Sequence, residues 1–196
     1  MTKPFNPNDA YARKAKSLGY LARSAFKLED ILKKFSILKP GNRVLDIGAA
    51  PGSWLQVISK KIGAKGLAVG IDISEIKFKS NNIKIIKGDI FEKTVADEIA
   101  AFAPFDAIVS DIAPKTSGIK IRDQAQSEEL VNRVLEIARA FLKKDGSLAV
   151  KIFQGSDTRI LMKEMQKTFK KVSTHKPPAS RDRSFETYLV GLNKVD

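Results

Sequence analysis

The feature that most constrains this chain is a repeated alternation of short apolar runs with helical stretches. Val44–Ile47, Leu67–Ile71, Ile83–Ile86, Ala107–Val109 and Ser147–Phe153 read as strands. Helices are expected at Ser53–Ile62, about Lys93–Phe102, Ser127–Leu142 and Thr158–Phe169. Such alternation builds a mostly parallel, doubly wound α/β sheet covered on both faces. Strands buried on both faces read as continuous apolar runs, as these do. Val172–His175 and Thr187–Leu192 have no helix between them, so they cannot form a parallel crossover. They are expected as an antiparallel C-terminal hairpin at one sheet edge. Two helices precede the first strand. Ala10 to about Ser17 is capped by Asn8 or Asp9 and broken by Gly19. About Ser24–Phe35 offers Phe26, Ile31, Leu32 and Phe35 as apolar contacts before the turn at Pro40-Gly41. A length of 196 residues suits one domain, 1–196, with 1–38 as a helical N-terminal extension.

In an open α/β sheet, ligands sit beyond the carboxyl ends of the strands. Four strands here end in or beside a carboxylate: Asp46, Asp72, Asp89 and Asp111. The first runs into Gly48-Ala49-Ala50-Pro51-Gly52, where small residues let a ligand approach the backbone. Taken singly, each of these could be a turn or a cap. Together they point to a nucleotide-like ligand in a Rossmann-like sheet. Asp72 is placed to accept hydrogen bonds from ribose hydroxyls, and Asp89 to receive an adenine amino group. The loop is not the G-x-G-x-x-G of dinucleotide enzymes. Pro51 removes an N–H that a diphosphate would want. Adenosine joined to an amino acid, as in S-adenosylmethionine, needs no phosphate cradle and fits better.

The chain has no cysteine, which excludes disulfides, thiolate metal sites and thiol nucleophiles. No His/Asp/Glu cluster has metal-ligand spacing, so no metal is expected. No apolar run approaches the length of a membrane span, and Met1–Tyr20 carries no secretory core. The expected location is the cytoplasm. The net charge of +13 is unevenly spread. Residues 1–43 and residues 143–183 each contribute +7, whereas 44–142 are neutral. If the two flanks meet in space they form one basic face, suited to a polyanion. A solvated lysine-rich surface is the alternative that charge alone leaves open.

One lysine stands apart. Lys151 interrupts the apolar strand Leu148-Ala149-Val150-Lys151-Ile152-Phe153. Lysine is rarely buried without a partner, so this position suggests a function. Lys27, in a lysine-rich helix, reads by itself as solvent-facing. Glu186 attracts no notice alone. His175, the one histidine, reads as a strand-surface residue rather than a catalyst.

Asp46-Ile-Gly-Ala-Ala-Pro-Gly-Ser-Trp54, Ser110-Asp-Ile-Ala-Pro114 and Val150-Lys-Ile-Phe-Gln-Gly155 resemble the FtsJ/RrmJ family of RNA ribose 2′-O-methyltransferases. So do Arg23-Ser-Ala-Phe-Lys-Leu28 and Ser180-Arg-Asp-Arg-Ser-Phe-Glu-Thr-Tyr188. The likeness runs from about Tyr11 to Leu192. It implies a catalytic Lys-Asp-Lys-Glu group at Lys27, Asp111, Lys151 and Glu186. It implies cofactor contacts at Gly52, Trp54, Asp72, Asp89 and Asp111, beside the Gly48 that the loop itself suggests. Ser53 stands where close relatives often carry a second glycine, and it is expected to cap its helix. The implied substrate is a uridine of large-subunit ribosomal RNA, or the assembled subunit; other branches of the family act on tRNA.

A ribose hydroxyl is a very weak acid, so its proton must be leaving as the methyl arrives. Lys151 is expected to take that proton or to orient the oxygen lone pair. Asp111 holds Lys151, Lys27 stabilises the developing alkoxide or a phosphate, and Glu186 positions Lys27 or the ribose. The RNA is expected to lie on Arg13, Lys14, Lys16, Arg23, Lys33, Lys34, Lys170, Lys171, Lys176, Arg181 and Arg183. One domain with a complete site gives no reason to require more than a monomer. An amino-directed methyltransferase would show Asn/Asp-Pro-Pro-aromatic where Ser110–Pro114 stands, and a base C5-methyltransferase commonly needs a cysteine. The rival from another class is a non-catalytic RNA-binding or ribosome-assembly factor on a methyltransferase fold.

Overall fold

The computed structural model describes residues 10–155, 158–180 and 185–195. Asn8, Asp9, Arg181 and Arg183 lie outside the described residues. The elements run α1 (Ala10–Ser17), α2 (Ala25–Phe35), β1 (Arg43–Ile47), α3 (Ser53–Ile62), β2 (Leu67–Asp72), β3 (Ile83–Lys87), α4 (Lys93–Ala100), β4 (Phe105–Ser110), α5 (Lys120–Phe141), β5 (Leu142–Phe153), α6 (Thr158–Gln166), β6 (Phe169–His175) and β7 (Glu186–Lys194). The seven strands form one sheet in the order β3-β2-β1-β4-β5-β7-β6. The first five pair in parallel. β7 runs antiparallel between β5 and β6. The doubly wound sheet and its C-terminal hairpin are as the sequence leads one to expect. The last strand slots inside the sheet and leaves β6 at the edge.

Strand alternation divides the core in two. Leu45 and Ile47 face α4, α5 and α6, through Val95, Ile99, Val131, Leu135, Leu161 and Met165. Val44 faces the opposite way, toward Leu28 and Ile31 of α2 and Leu55 and Ile58 of α3. α2 reaches this layer through Ala25, Leu28, Ile31 and Leu32, spaced three and four apart. Lys27 lies one turn before Ile31 and is drawn under the same face, 7% exposed. The solvent-facing reading of Lys27 taken alone is therefore wrong for this fold. Helix periodicity marks which positions share a face, but it does not say that a charged partner waits there.

Several element boundaries differ from the sequence reading; β5, for one, begins at Leu142 rather than Ser147. α5 begins at Lys120 rather than Ser127. In its first turn Lys120, Ile121 and Arg122 are exposed, so the amphipathic signal starts only where the helix meets the sheet. α6 stops at Gln166, and Phe169 starts β6 instead. Its ring fills the space over Gly191, where a Cβ would lie 2.6 Å from the ring carbons. Ser53 does not cap α3. The cap position is Gly52, and the Ser53 hydroxyl pairs with the Ser24 hydroxyl at 2.7 Å. No helix among the described residues is long and apolar enough to cross a membrane.

Phe169→Ala should cost about 3–5 kcal/mol of stability, since it empties the volume that Gly191 leaves for the ring. Urea unfolding followed by circular dichroism checks this, with an unchanged denaturant slope.

Candidate active site

A cavity of about 600 Å³ opens at the carboxyl ends of β1, β2, β3 and β4. Gly48, Asp72, Asp89 and Asp111 line it, as the sequence suggests, and so do Lys115 and Glu129. Gly52 and Trp54 do not line it. Gly52 has a left-handed φ of 112°, and a Cβ there would lie 2.7 Å from Phe78 Cβ. Gly48 has φ 79° and would meet the Ile112 backbone at 2.7 Å. Each glycine lets two loops close on one another.

The amides of the β1 loop are committed inside the protein. Gly48 N and Ala49 N donate to Ile71 O, at 2.9 and 3.0 Å. Ala50 N donates to Asp72 Oδ2 at 2.9 Å, and Pro51 has no N–H. These four residues offer a diphosphate no free donor. Asp72 Oδ1 accepts from Ser74 N at 2.7 Å. Each Asp72 oxygen keeps a lone pair for a hydroxyl. Asp89 is exposed and accepts from Phe91 N at 3.0 Å. A wall with three aspartates, one glutamate and one lysine suits a cationic sulfur, an ammonium and ribose hydroxyls. It opposes a polyphosphate.

At one margin of this cavity the four expected catalytic side chains come together. Lys151 is 7% exposed. Its Nζ lies 3.0 Å from Asp111 Oδ1 and also donates to the Asp111 carbonyl. Lys27 Nζ lies 2.7 Å from Glu186 Oε1. The β5–β7 register explains the meeting: Lys151 pairs with Tyr188 and Phe153 with Glu186. Lys151, Glu186 and Tyr188 thus share the sheet face that α2 covers, and Asp111 follows the end of the adjoining β4. A one-residue slip would send them to the other face.

Two further groups belong to this cluster: Tyr188, to which the sequence gives no role, and Asp46, which counts there among the acidic strand ends but does not line the cavity. Tyr188 is fully buried, and its hydroxyl donates to Asp111 Oδ1 at 2.6 Å. Its ring stacks on Trp54 at 5.9 Å, and Trp54 Nε1 donates to Ser24 O just before α2. The signal was present: Tyr188 stands two residues after Glu186 on a strand, hence on the same face. Asp46 is fully buried, and neither carboxylate oxygen has a hydrogen-bond partner among the described residues. Burial, with the nearby carboxylates of Asp111 and Asp72, pushes its acid group well above the usual range. Burial would raise Asp111 too. There the charges of Lys151 and Lys27 and the bonds from Tyr188 and Lys151 outweigh it and hold the carboxyl below its ordinary value. Burial first, then Asp111, pushes the Tyr188 phenol well above its ordinary value.

The basic flanks do meet. Ala15 of α1, Phe26 of α2 and Ala179 beyond β6 form one small apolar cluster. Asp30 of α2 bonds His175 Nε2 at 2.6 Å. Arg13, Lys14, Lys16, Lys33, Lys34 and Lys176 are exposed, and Arg23 is half-buried. Lys170 and Lys171 stand apart. They sit at the start of β6, the far end of the sheet, where Lys170 reaches Asp145 at 3.2 Å. Among the described residues no group of three His, Asp or Glu is placed to hold a metal ion.

A sheet of this order, with a carboxylate-lined cavity closed to phosphate and buried lysines at its margin, defines a methyltransferase built around an adenosine cofactor. The pattern of the FtsJ-like methyltransferases matches residues 20–194. The chain belongs to that family. It is 48% identical to the ribosomal RNA large subunit methyltransferase E of Bdellovibrio bacteriovorus, over 97% of this chain and 98% of that one. A crystal structure of a ribosomal RNA methyltransferase from Plasmodium falciparum superposes with a TM-score of 0.79 at 30% identity, covering 90% of this chain and 99% of that one. Fibrillarin from Aeropyrum pernix, solved with S-adenosyl-L-methionine bound, shares the fold at a TM-score of 0.62 and 21% identity, covering 86% of this chain and 76% of that one. This chain is an S-adenosylmethionine-dependent methyltransferase.

The raised Asp46 acid gives a pH prediction. With its acid group raised, Asp46 keeps its proton to higher pH in the fold than in the unfolded chain. The native state then binds more protons, so this group lowers stability as pH rises. Asp46→Asn does not titrate and escapes the loss. Its melting temperature relative to the parent should climb as the pH rises through and above the ordinary carboxylate range. A difference that stays constant in thermal unfolding would mean that Asp46 is ionised in the fold.

Proposed function

We propose that this enzyme methylates the 2′-hydroxyl of a ribose, in a uridine of large-subunit ribosomal RNA. The observation that carries the proposal is the pair of buried ion pairs, Lys151–Asp111 and Lys27–Glu186, beside the cofactor cavity. Two lysines held out of water are of little use for binding an adenosine. They suit an acceptor whose hydroxyl must lose a proton and carry negative charge on the way. The curated relatives, including one from Borrelia garinii at 44% identity, bear the name ribosomal RNA large subunit methyltransferase E.

In this reading S-adenosylmethionine, held by Asp72, Asp89 and Asp111, supplies an electrophilic methyl carbon on a positively charged sulfur. Lys151 receives the hydroxyl proton as the oxygen–carbon bond forms and the carbon–sulfur bond breaks. Only the free amine can accept it, so the rate rises with pH on the acid side. Asp111 fixes Lys151 in place. Lys27 faces the oxygen as charge develops, and Glu186 holds Lys27. Alignment of oxygen, carbon and sulfur supplies much of the acceleration. The basic face around α1, the exposed lysines of α2 and Lys176 holds the RNA backbone. The site is built within one chain, which supports a monomer, and the likeness to bacterial ribosomal RNA methyltransferases supports a place in the cytoplasm.

The test is methyl transfer to purified ribosomal RNA, large subunits and tRNA, with the 2′-O-methyl positions mapped. Incorporation into tRNA alone would overturn the ribosomal assignment. Incorporation into none of them would favour a non-catalytic assembly factor. Lys151→Ala should lower turnover by at least about a thousandfold, within the range of general-base and charge-stabilising groups combined. Its affinity for S-adenosylmethionine, measured by calorimetry, should stay within about twofold. RNA affinity should fall steeply between low and moderate salt, and a flat response would remove the basic face from the account.

A further inference from the structure

Two donors converge on one oxygen. Tyr188 Oη lies 2.6 Å from Asp111 Oδ1, and Lys151 Nζ lies 3.0 Å from the same atom. The phenol is buried in the wall and does not line the cofactor cavity. Its ring is held by the stack on Trp54, which in turn bonds the chain just ahead of α2. Nothing in that packing requires a hydroxyl, since a phenylalanine would fill the same space.

We propose that Tyr188 is a positioning residue for the methyl transfer, acting by competing with Lys151 for Asp111 Oδ1. A carboxylate oxygen whose charge is already partly satisfied by a short phenol bond favours a second, cationic donor less. The ammonium of Lys151 is thereby held less tightly and yields its proton more readily. The balance is set by every charged or titratable group facing the cluster: Lys27 from α2, the raised acid of Asp46 from β1, Asp72 from β2, Lys151 from β5 and Glu186 from β7. Burial next to carboxylates keeps the phenol neutral, so it remains a donor across the working range. The inference deepens the proposed proton transfer and rests on it for its effect on rate, while the hydrogen bond itself can be read without RNA.

Tyr188→Phe tests this. The acid limb of the pH–rate profile should move up by about one pH unit, a loss of about tenfold in rate at a fixed pH on that limb. The rate at the alkaline plateau should recover to that of the parent, and affinity for S-adenosylmethionine should be unchanged. Replacing all three tyrosines biosynthetically with 3,5-difluorotyrosine keeps the shape and makes the phenol a stronger donor. The limb should then move the opposite way. This second protein carries the test if the phenylalanine variant folds poorly. An unmoved limb in both, or a uniform loss at every pH with weakened cofactor binding, would overturn the proposal. Carboxyl NMR of the cofactor-free proteins reads the bond directly: losing the phenol should raise the Asp111 midpoint. An unchanged midpoint overturns the proposal even if the substrate is not RNA. Failure of the parent enzyme on every RNA, with the midpoint raised, would overturn the substrate assignment alone.

Discussion

An ammonium moved out of water is costly unless a carboxylate and further hydrogen bonds meet it there. This protein does so twice within one small volume, and much of its architecture serves that end. Lys151 is met by Asp111 and Lys27 by Glu186, all four largely screened from solvent. The β5–β7 register delivers Lys151, Tyr188 and Glu186 to one face. α2 lays Lys27 over them, and the Trp54 indole ties the start of α2 to the Tyr188 ring. Removing one partner would strand a buried charge, so the cluster holds the helix, the hairpin and the β4 end in a fixed relation.

The cofactor side is organised by the opposite tactic. Charge there is left facing open space. Asp72, Asp89 and Asp111 line a cavity in which little positive charge answers them. The loop that closes it has turned its amides inward to Ile71 and Asp72. A cationic ligand is therefore matched and a polyphosphate rejected. Asp111 belongs to both halves. It closes the cavity wall and accepts from Lys151 and Tyr188, so the cofactor end and the proton-accepting end are coupled through one carboxylate. Behind it burial, and then the neighbouring carboxylates of Asp111 and Asp72, push the Asp46 acid well above the usual carboxylate range.

The basic flanks illustrate how far charge counting reaches. Residues near the two ends of the chain are brought together by α1, α2 and the segment after β6. Lys170 and Lys171 belong to the same charged stretch as Lys176, yet they fall at the opposite end of the sheet. An extended strand carries five residues through roughly 16 Å. Linear proximity in a strand is thus no guide to sharing a surface with a site at the strand's end.

Sequence alone determined the alternation of strand and helix, the acidic strand ends and the phosphate-averse loop, because these are local properties of apolar period and backbone chemistry. It also marked Lys151, since a charge inside an apolar run is anomalous wherever the run ends up. Lys27 and Glu186 could be read only through family likeness, Tyr188 had no role in the sequence, and Asp46 stood there only as one acidic strand end among four. Their meaning lies in which side chains face one another across β1, β4, β5 and β7 and beneath α2. Only the tertiary structure decided that two donors would share one oxygen of Asp111. Hydrogen-bond competition depends on distances of a few ångströms between residues dozens of positions apart, and those distances are fixed by register and packing rather than by local sequence.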